Sequence, residues 1–259
     1  MRTLLIDGDV IAYQFACASE VSINWGDDFW TLHADAKVAK TQMTESLEIL
    51  KENLNADTIV IALSDSSREY FRKEILPTYK DNRSKVRKPI ILKELRQFLR
   101  DNYKFYEKEA LEGDDVLGIL ATHPKLVPGE KIVVSIDKDL LTIPGLHYNT
   151  RHPENGVVQV SEDLADYYHL FQTLTGDSSD GFSGCPGIGA KRAEQILAMA
   201  DGDKSQLWPC VVKAFEDAGF GKEEALRQAR VARILRADEY DYKIGQPILW
   251  KPITAGATL

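Results

Sequence analysis

The order of apolar and polar positions divides the chain into strands and helices that alternate. Thr3-Leu4-Leu5-Ile6, Thr58-Ile59-Val60-Ile61-Ala62-Leu63 and Lys131-Ile132-Val133-Val134-Ser135-Ile136 are short, nearly continuous apolar runs. Such runs mark strands buried on both faces. Lys104-Phe105-Tyr106-Glu107 reads as a further strand. Helical spacing predicts helices near Val10–Ala18, over 35–53, from Pro89 to about Asn102, and from Val116 onward. Residues 20–33, with Trp25 and Trp30, show no clear period and read as irregular. Later, His147–Asn149 and Val157–Val160 read as a small hairpin around Asn155-Gly156. Residues 162–174, 205–217 and 222–236 read as helices, and Ile248–Ile253 as a short returning strand. Strands alternating with helices predict an α/β fold: a mostly parallel central sheet with helices on both faces.

The strong strands end on acids: Asp7-Gly8-Asp9, Ser64-Asp65 and Asp137-Lys138-Asp139. One strand ending on Asp is ordinary turn chemistry. Repetition along the carboxyl edge of a parallel sheet is not, because that edge is where such sheets present ligands. The chain is organised around Leu111-Glu112-Gly113-Asp114-Asp115-Val116, at the mouth of an apolar helix pattern. On a helix Glu112 and Asp115 share a face at i,i+3, and Asp114 points about 100° away from Asp115. A helix dipole favours acids in its first turn. A cluster this dense nevertheless repels itself unless it holds a cation.

Composition narrows the setting. With 259 residues, 44% of them hydrophobic, the chain can form one large domain or two small ones. Cys17, Cys185 and Cys210 lie far apart with no Cys-x-x-Cys, which argues for a reducing compartment and against zinc. The first acid comes too early for a signal peptide, and no apolar run is long enough to span a bilayer. A soluble, cytoplasmic protein is expected.

The net charge of −8 is unevenly placed. Residues 1–67 carry 4 Lys and Arg against 11 acids, 68–108 carry 13 against 6, and 109–259 carry 15 against 23. A basic island between acidic flanks suits a polyanion brought to bound metal ions. Tyr70, Phe71 and Tyr79 are interleaved with its cations, a mixture suited to single-stranded nucleic acid. Pro186-Gly187-Ile188-Gly189-Ala190-Lys191 opens a helix with free N–H groups, where a phosphate can sit. It is not a P-loop, because Ala190 stands where the lysine must follow Gly189. Asp177–Gly181 lacks the remaining ligands of a calcium loop.

Two other readings compete. A haloacid-dehalogenase-like phosphohydrolase would use Asp7 as nucleophile and Asp9 as general acid, with Gly176–Asp180 behind them. It leaves Asp65, Glu112, Asp114, Asp115, Asp137 and Asp139 idle. A non-catalytic nucleic-acid clamp explains the basic island and wastes the carboxylates.

Taken in order, Ile6-Asp7-Gly8, Asp65, Phe71-Arg72, Tyr79-Lys80-Asp81-Asn82-Arg83, Glu112-Gly113-Asp114-Asp115, Ser135-Ile136-Asp137-Lys138-Asp139-Leu140, Leu174-Thr175-Gly176-Asp177-Ser178-Ser179-Asp180 and Pro186–Lys191 form a recognisable series. The chain resembles the 5′-nuclease superfamily, that is, flap endonucleases and polymerase 5′-nuclease domains. Its nearest likeness is to the short 5′→3′ exonucleases of tailed bacteriophages. It departs from the pattern at Asp9, where many relatives have Asn, and at Gly113, where they have Ala.

The resemblance implies a PIN-like nuclease core over 1–160, with the basic region 68–108 as part of a helical arch. It implies a helical DNA-binding region over 161–259, with a helix-hairpin-helix variant near 182–200. Two Mg²⁺ or Mn²⁺ ions are implied. Asp7, Asp65, Glu112 and Asp114 are assigned to the first, Asp137, Asp139, Asp177 and Asp180 to the second, and Asp115 lies between them through water. Lys80 and Arg83 would grip the scissile phosphate, Arg72 would assist, and Tyr79 would stack on a base. Lys85, Arg87, Lys88, Gly187, Gly189 and Lys191 would contact nucleic acid, with K⁺ at the helix-hairpin-helix. The implied activity is metal-dependent 5′→3′ exonuclease action on duplex DNA at 5′ ends, nicks and flaps, and on RNA–DNA hybrids. It would serve phage replication, as a monomer, in the host cytoplasm and away from membranes.

Overall fold

The computed structural model describes residues 1–252. The apolar runs become the central strands β1 (Arg2–Asp7), β4 (Thr58–Leu63) and β6 (Glu130–Val134). Between β1 and β4 come helix α1 (Gly8–Ser19), the hairpin β2 (Glu20–Asn24) and β3 (Trp30–Ala34), and helix α2 (Ala36–Asn53). After β4 follow a one-turn helix α3 (Arg72–Ile75), helix α4 (Leu92–Asn102), strand β5 (Lys104–Glu107) and helix α5 (Gly113–Thr122). Strands β7 (Gly145–Tyr148) and β8 (Val157–Val160) complete a six-stranded sheet of order β5-β4-β1-β6-β7-β8. Every neighbouring pair is parallel except β7 with β8.

Alternation through the sheet feeds two cores. Leu4, Ile6, Ile59, Ile61, Leu63, Ile132 and Val134 face α1, α2 and α4, whereas Leu5, Val60, Ala62 and Val133 face α5. Both faces are covered, which is why these strands read as continuous apolar runs. The chain walks outward from β1 to β4 and β5, then returns to the other side of β1 as β6. The reversal opens a crevice at the carboxyl ends of β1 and β6, the place where open α/β sheets take their ligands.

A third core joins the helices α6 (Glu162–Thr175), α7 (Ala190–Ala198), α8 (Lys204–Asp217) and α9 (Lys222–Ala232). The chain then returns: Ile234, Leu235 and Tyr240 pack beside α5 in the second core. No helix among the described residues is long and apolar enough to cross a membrane.

Several expectations shift. Residues 20–33 are ordered as the β2–β3 hairpin. Trp25 is 64% and Trp30 56% exposed, so no buried face imposed a readable alternation. The expected arch over 68–108 contracts, because Leu95 and Leu99 of α4 are buried in the first core and β5 pairs with β4. Helix α4 begins at Leu92 after a turn closed on the Pro89 carbonyl. The strands β7 and β8 belong to the main sheet and are joined by a longer loop ending at Gly156. Helix α9 stops at Ala232, and Asp115 takes the Leu235 N–H instead of a helical acceptor. Ile248–Pro252 is not a strand; the short strands here are β9 (Tyr240–Asp241) and β10 (Gln246–Pro247), and Ile253 lies outside the described residues.

Candidate active site

Asp7 ends β1 and caps α1, accepting from the Val10 N–H at 3.0 Å and from the Ser135 hydroxyl at 3.1 Å. Parallel register places Ile6 beside Val134, so the residues after β6 come up next to Asp7. Asp137 follows, exposed, accepting from the Asp139 N–H at 2.9 Å. Glu112 caps α5 in a reciprocal capping box with Asp115, and Asp114 in the first helical turn lies half-buried on the cleft. Asp177 and Asp180 arrive from the turn between α6 and α7. That turn is closed by Asp177 and Phe182 exchanging backbone bonds of 2.9 and 3.1 Å. It depends on Gly176 and Gly184, at φ 66° and 62°. A Cβ on Gly176 would lie 2.3 Å from the Ser183 carbonyl carbon, so a side chain does not fit.

Asp7, Asp9, Glu112, Asp114, Asp137, Asp139 and Asp180 line one cleft of about 680 Å³, with Lys80, Arg83 and Arg96 also on its wall. Asp177 stands beside Asp139 at its far end. Burial pushes Asp7 up to about 7, helped by the charge of Asp9. Burial, with Asp137 beside it, also raises Asp139 to about 7. Asp114 is driven well above the usual carboxylate range by burial and by Asp7. Burial would raise Glu112 too, but Lys80 and Arg72 hold it below its ordinary value. Asp177 is held low against burial by its bonds from Ser179.

The basic strap 72–85 crosses this cleft. Lys80 has a left-handed backbone, φ 59°, that turns its N–H onto the Asp180 carbonyl at 2.8 Å. Its ammonium pairs with Glu112 and, at 3.2 Å, with Asp180. Arg83 pairs with Asp180 and donates to the Ser179 carbonyl at 3.0 Å. Asn82 donates to the Ser178 carbonyl at 3.0 Å. Among the described residues no three carboxylates stand close enough to share one ion, with these cations drawing Glu112 and Asp180 aside. The donor set is all carboxylate oxygen, crowded enough to raise its own proton affinity. It therefore fits a hard divalent cation.

Four expected roles do not agree with this geometry. Asp65 does not line the cleft, because its carboxylate is taken by the Ser67 N–H and hydroxyl and by the Ala110 N–H at 2.9 Å. Asp9 stands in the cleft instead, paired with Arg96 at 2.8 Å and accepting from the Ser64 N–H at 2.7 Å. The Asp-x-Asp spacing was its only signal in the sequence. Asp115 is fully buried, gripped by both arms of Arg72 at 2.6 and 2.7 Å, so it does not bridge two ions through water. Arg72 is consumed by that pair, by Glu112 and by the Val231 and Arg233 carbonyls, and does not reach a phosphate. Tyr79 is 2% exposed, its hydroxyl bridging Glu112 at 2.8 Å and Asp180 at 3.0 Å, so its ring is closed to a base.

The remaining basic residues divide. Lys85 is exposed, Lys88 lies half-buried on the cleft wall, and Arg87 is tied to Glu20 at 2.5 Å at the root of the β2–β3 hairpin. Gly187, Gly189 and Lys191 are exposed at the start of α7, with nothing within 4 Å of where either glycine's Cβ would stand. That openness lets a backbone phosphate approach the first N–H groups of the helix.

Residues 2–163 match the family described as 5′-3′ exonuclease, N-terminal resolvase-like domain. The exodeoxyribonuclease of Enterobacteria phage T3 is 32% identical over 283 residues, covering 96% of this chain and 92% of its own length. The exonuclease of Escherichia phage T7 is 31% identical over 282 residues, covering 96% and 93%. Among solved structures, a T5 5′-exonuclease with bound divalent zinc aligns with TM-score 0.64 over 90% of this chain and 89% of that one, at 17% identity. The bacteriophage T5 flap endonuclease in a pseudo-enzyme-product complex with DNA and metal ions aligns with TM-score 0.62 over the same shares, 90% and 89%, at 15% identity. At these identities the structural likeness is one of fold.

Proposed function

This chain belongs to the 5′-3′ exonuclease family and is a nuclease, and from that premise we propose that its acidic cleft, loaded with two divalent cations, hydrolyses duplex DNA from 5′ ends. The observation that carries the reading is the convergence of acids from distant stretches of chain on one switch-point cleft, with Asp7 and Asp139 raised to about 7. Such crowding is relieved by a cation.

Asp7, Asp9, Glu112 and Asp114 would hold one Mg²⁺ or Mn²⁺, and Asp137, Asp139, Asp177 and Asp180 the other. When bound, the pair supplies Lewis acidity for phosphodiester hydrolysis and neutralises charge on the leaving oxygen. Lys80 and Arg83, now paired with Glu112 and Asp180, would turn to the scissile phosphate when those carboxylates serve as metal ligands. The Tyr79 hydroxyl, bonded to Glu112 and Asp180, keeps the two halves of the site in register. Lys85 and Lys88 hold the backbone of the cut strand. Gly187, Gly189 and Lys191 hold the duplex through N–H groups and charge, with K⁺ completing the turn, and binding is blind to sequence. Nicks, flaps and the RNA strand of a hybrid would be cut by the same chemistry.

The phosphohydrolase alternative needs Asp9 free to face a leaving group, whereas its side chain is paired with Arg96 at 2.8 Å. The test is a flap duplex labelled at each end and incubated with Mg²⁺ or Mn²⁺. Short products from the 5′ label are expected, and Asp114→Asn should abolish them while metal-free binding of the same duplex persists. Release from the 3′ label alone, or no cleavage with either ion, would falsify the proposal.

A further inference from the structure

A second cavity, of about 660 Å³, has one lining residue, Asp139, in common with the acidic cleft. Its size lies within the roughly 300–1,000 Å³ typical of small-ligand sites. One wall is the turn 138–142, the other a stripe of α6: Tyr168, Phe171, Gln172 and Thr175, spaced i, i+3, i+4 and i+7. Helix α6 already buries a different stripe, Ala165, His169, Leu170, Thr173 and Leu174. The aromatic stripe is a second, half-buried face lining the cavity, with Phe171 also packed on the third core and stacked on Tyr167 at 6.5 Å between ring centroids. The side-chain oxygen of Gln172 is buried with no hydrogen-bond partner among the described residues.

The cavity joins two chemistries: the charges of Asp139, which it shares with the cleft, Asp177 and Lys138, and the rings and amide of α6. Cation-bridged phosphate, then sugar, then a base against aromatic rings is the order of parts in a nucleotide. We infer that this cavity is a base-binding subsite: it takes the base of the nucleotide on the cut strand whose phosphate is held at Asp139 and Asp177. Tyr168 and Phe171 stack on that base, and the Gln172 amide, able both to donate and to accept, meets its edge without selecting one base. The inference rests on the nuclease reading for the identity of the ligand. The bare carboxylates repel phosphate, so binding requires the divalent cation.

The test is calorimetric titration of the intact protein with dAMP and with deoxyribose 5-phosphate, with and without Mn²⁺. With Mn²⁺, dAMP should bind about tenfold more tightly than the sugar phosphate, the gain expected of one base on one aromatic platform. Without Mn²⁺ that binding should be lost. The combined Tyr168→Leu and Phe171→Leu substitution should close the gap between the two compounds, and Gln172→Leu should narrow it. Equal affinities in the unaltered protein, a comparison that needs no variant to fold, would overturn the subsite, as would a gap that survives in the double variant. A protein that cleaves 5′ ends yet binds both compounds alike refutes the subsite alone. One that neither cleaves nor binds either compound refutes the nuclease reading along with it.

Discussion

Arg72, 3% exposed, is the electrostatic keystone beneath the cleft, with Asp115 at 0% on its guanidinium. Removing one partner of a buried ion pair leaves the other charged and unpaired, at a cost of about 3–5 kcal/mol. Arg72→Met is therefore expected to lower the unfolding free energy by about that amount in a metal-free urea titration. Arg72→Lys should recover only part, since a lysine cannot grip Asp115 with two parallel bonds. A variant that melts like the parent but turns over slowly would return Arg72 to the chemistry. Lys80 is the opposite case. Its left-handed backbone is an unusual conformation for a residue with a side chain, and it aims the ammonium into the cleft. Lys80→Ala should lower single-turnover cleavage by about 10²-fold or more while changing duplex affinity far less; an unchanged rate would remove it from the reaction.

The carboxyl ends of β1 and β6 present acids that the fold holds protonated unless a cation takes the proton's place. Asp7 and Asp139, raised to about 7, keep protons that the unfolded chain releases near its ordinary value of 3.8. Their contribution to stability is complete below the unfolded value and is lost as pH rises through 7. Glu112, Asp65 and Asp177, held low, act in the opposite sense, losing their contribution only as pH falls below about 4. The two windows do not overlap. Scanning calorimetry should show the metal-free melting temperature falling between about pH 5 and pH 8, with Mn²⁺ raising it more at the higher pH. A Mn²⁺ effect that is absent, or larger at pH 5, counts against these strand ends as a cation site. The same elements show what an apolar pattern can and cannot encode. Strands β1, β4 and β6 are covered on both faces, and their runs are unmistakable. The β2–β3 hairpin fully buries none of its residues, and no period survives to be read.

Across the whole molecule, charge is sorted against its average: a net −8 chain carries its excess of cations on the strap and neighbouring surface around an acidic cleft. Duplex binding should weaken steeply with salt. In an Asp114→Asn background, Lys191→Ala should reduce the slope of log affinity against log salt by about 1, equally for any sequence. A slope that does not change would take Lys191 off the phosphate backbone. The sequence by itself determined the central strands, their mostly parallel sheet and the acids at its edge, because burial on two faces and repetition at strand ends leave local, countable marks. It also carried the ordered motifs that place the chain among the 5′-3′ exonucleases. Only the tertiary structure decided which acid faces the cleft and which is spent on the fold. Asp9 and Asp65 each follow a strand end, and Asp114 and Asp115 are adjacent in the chain, yet the members of each pair differ by the partner each finds. Arg96, the Ala110 N–H and Arg72 supply those partners from distant stretches of chain, and no local pattern records which group will meet them.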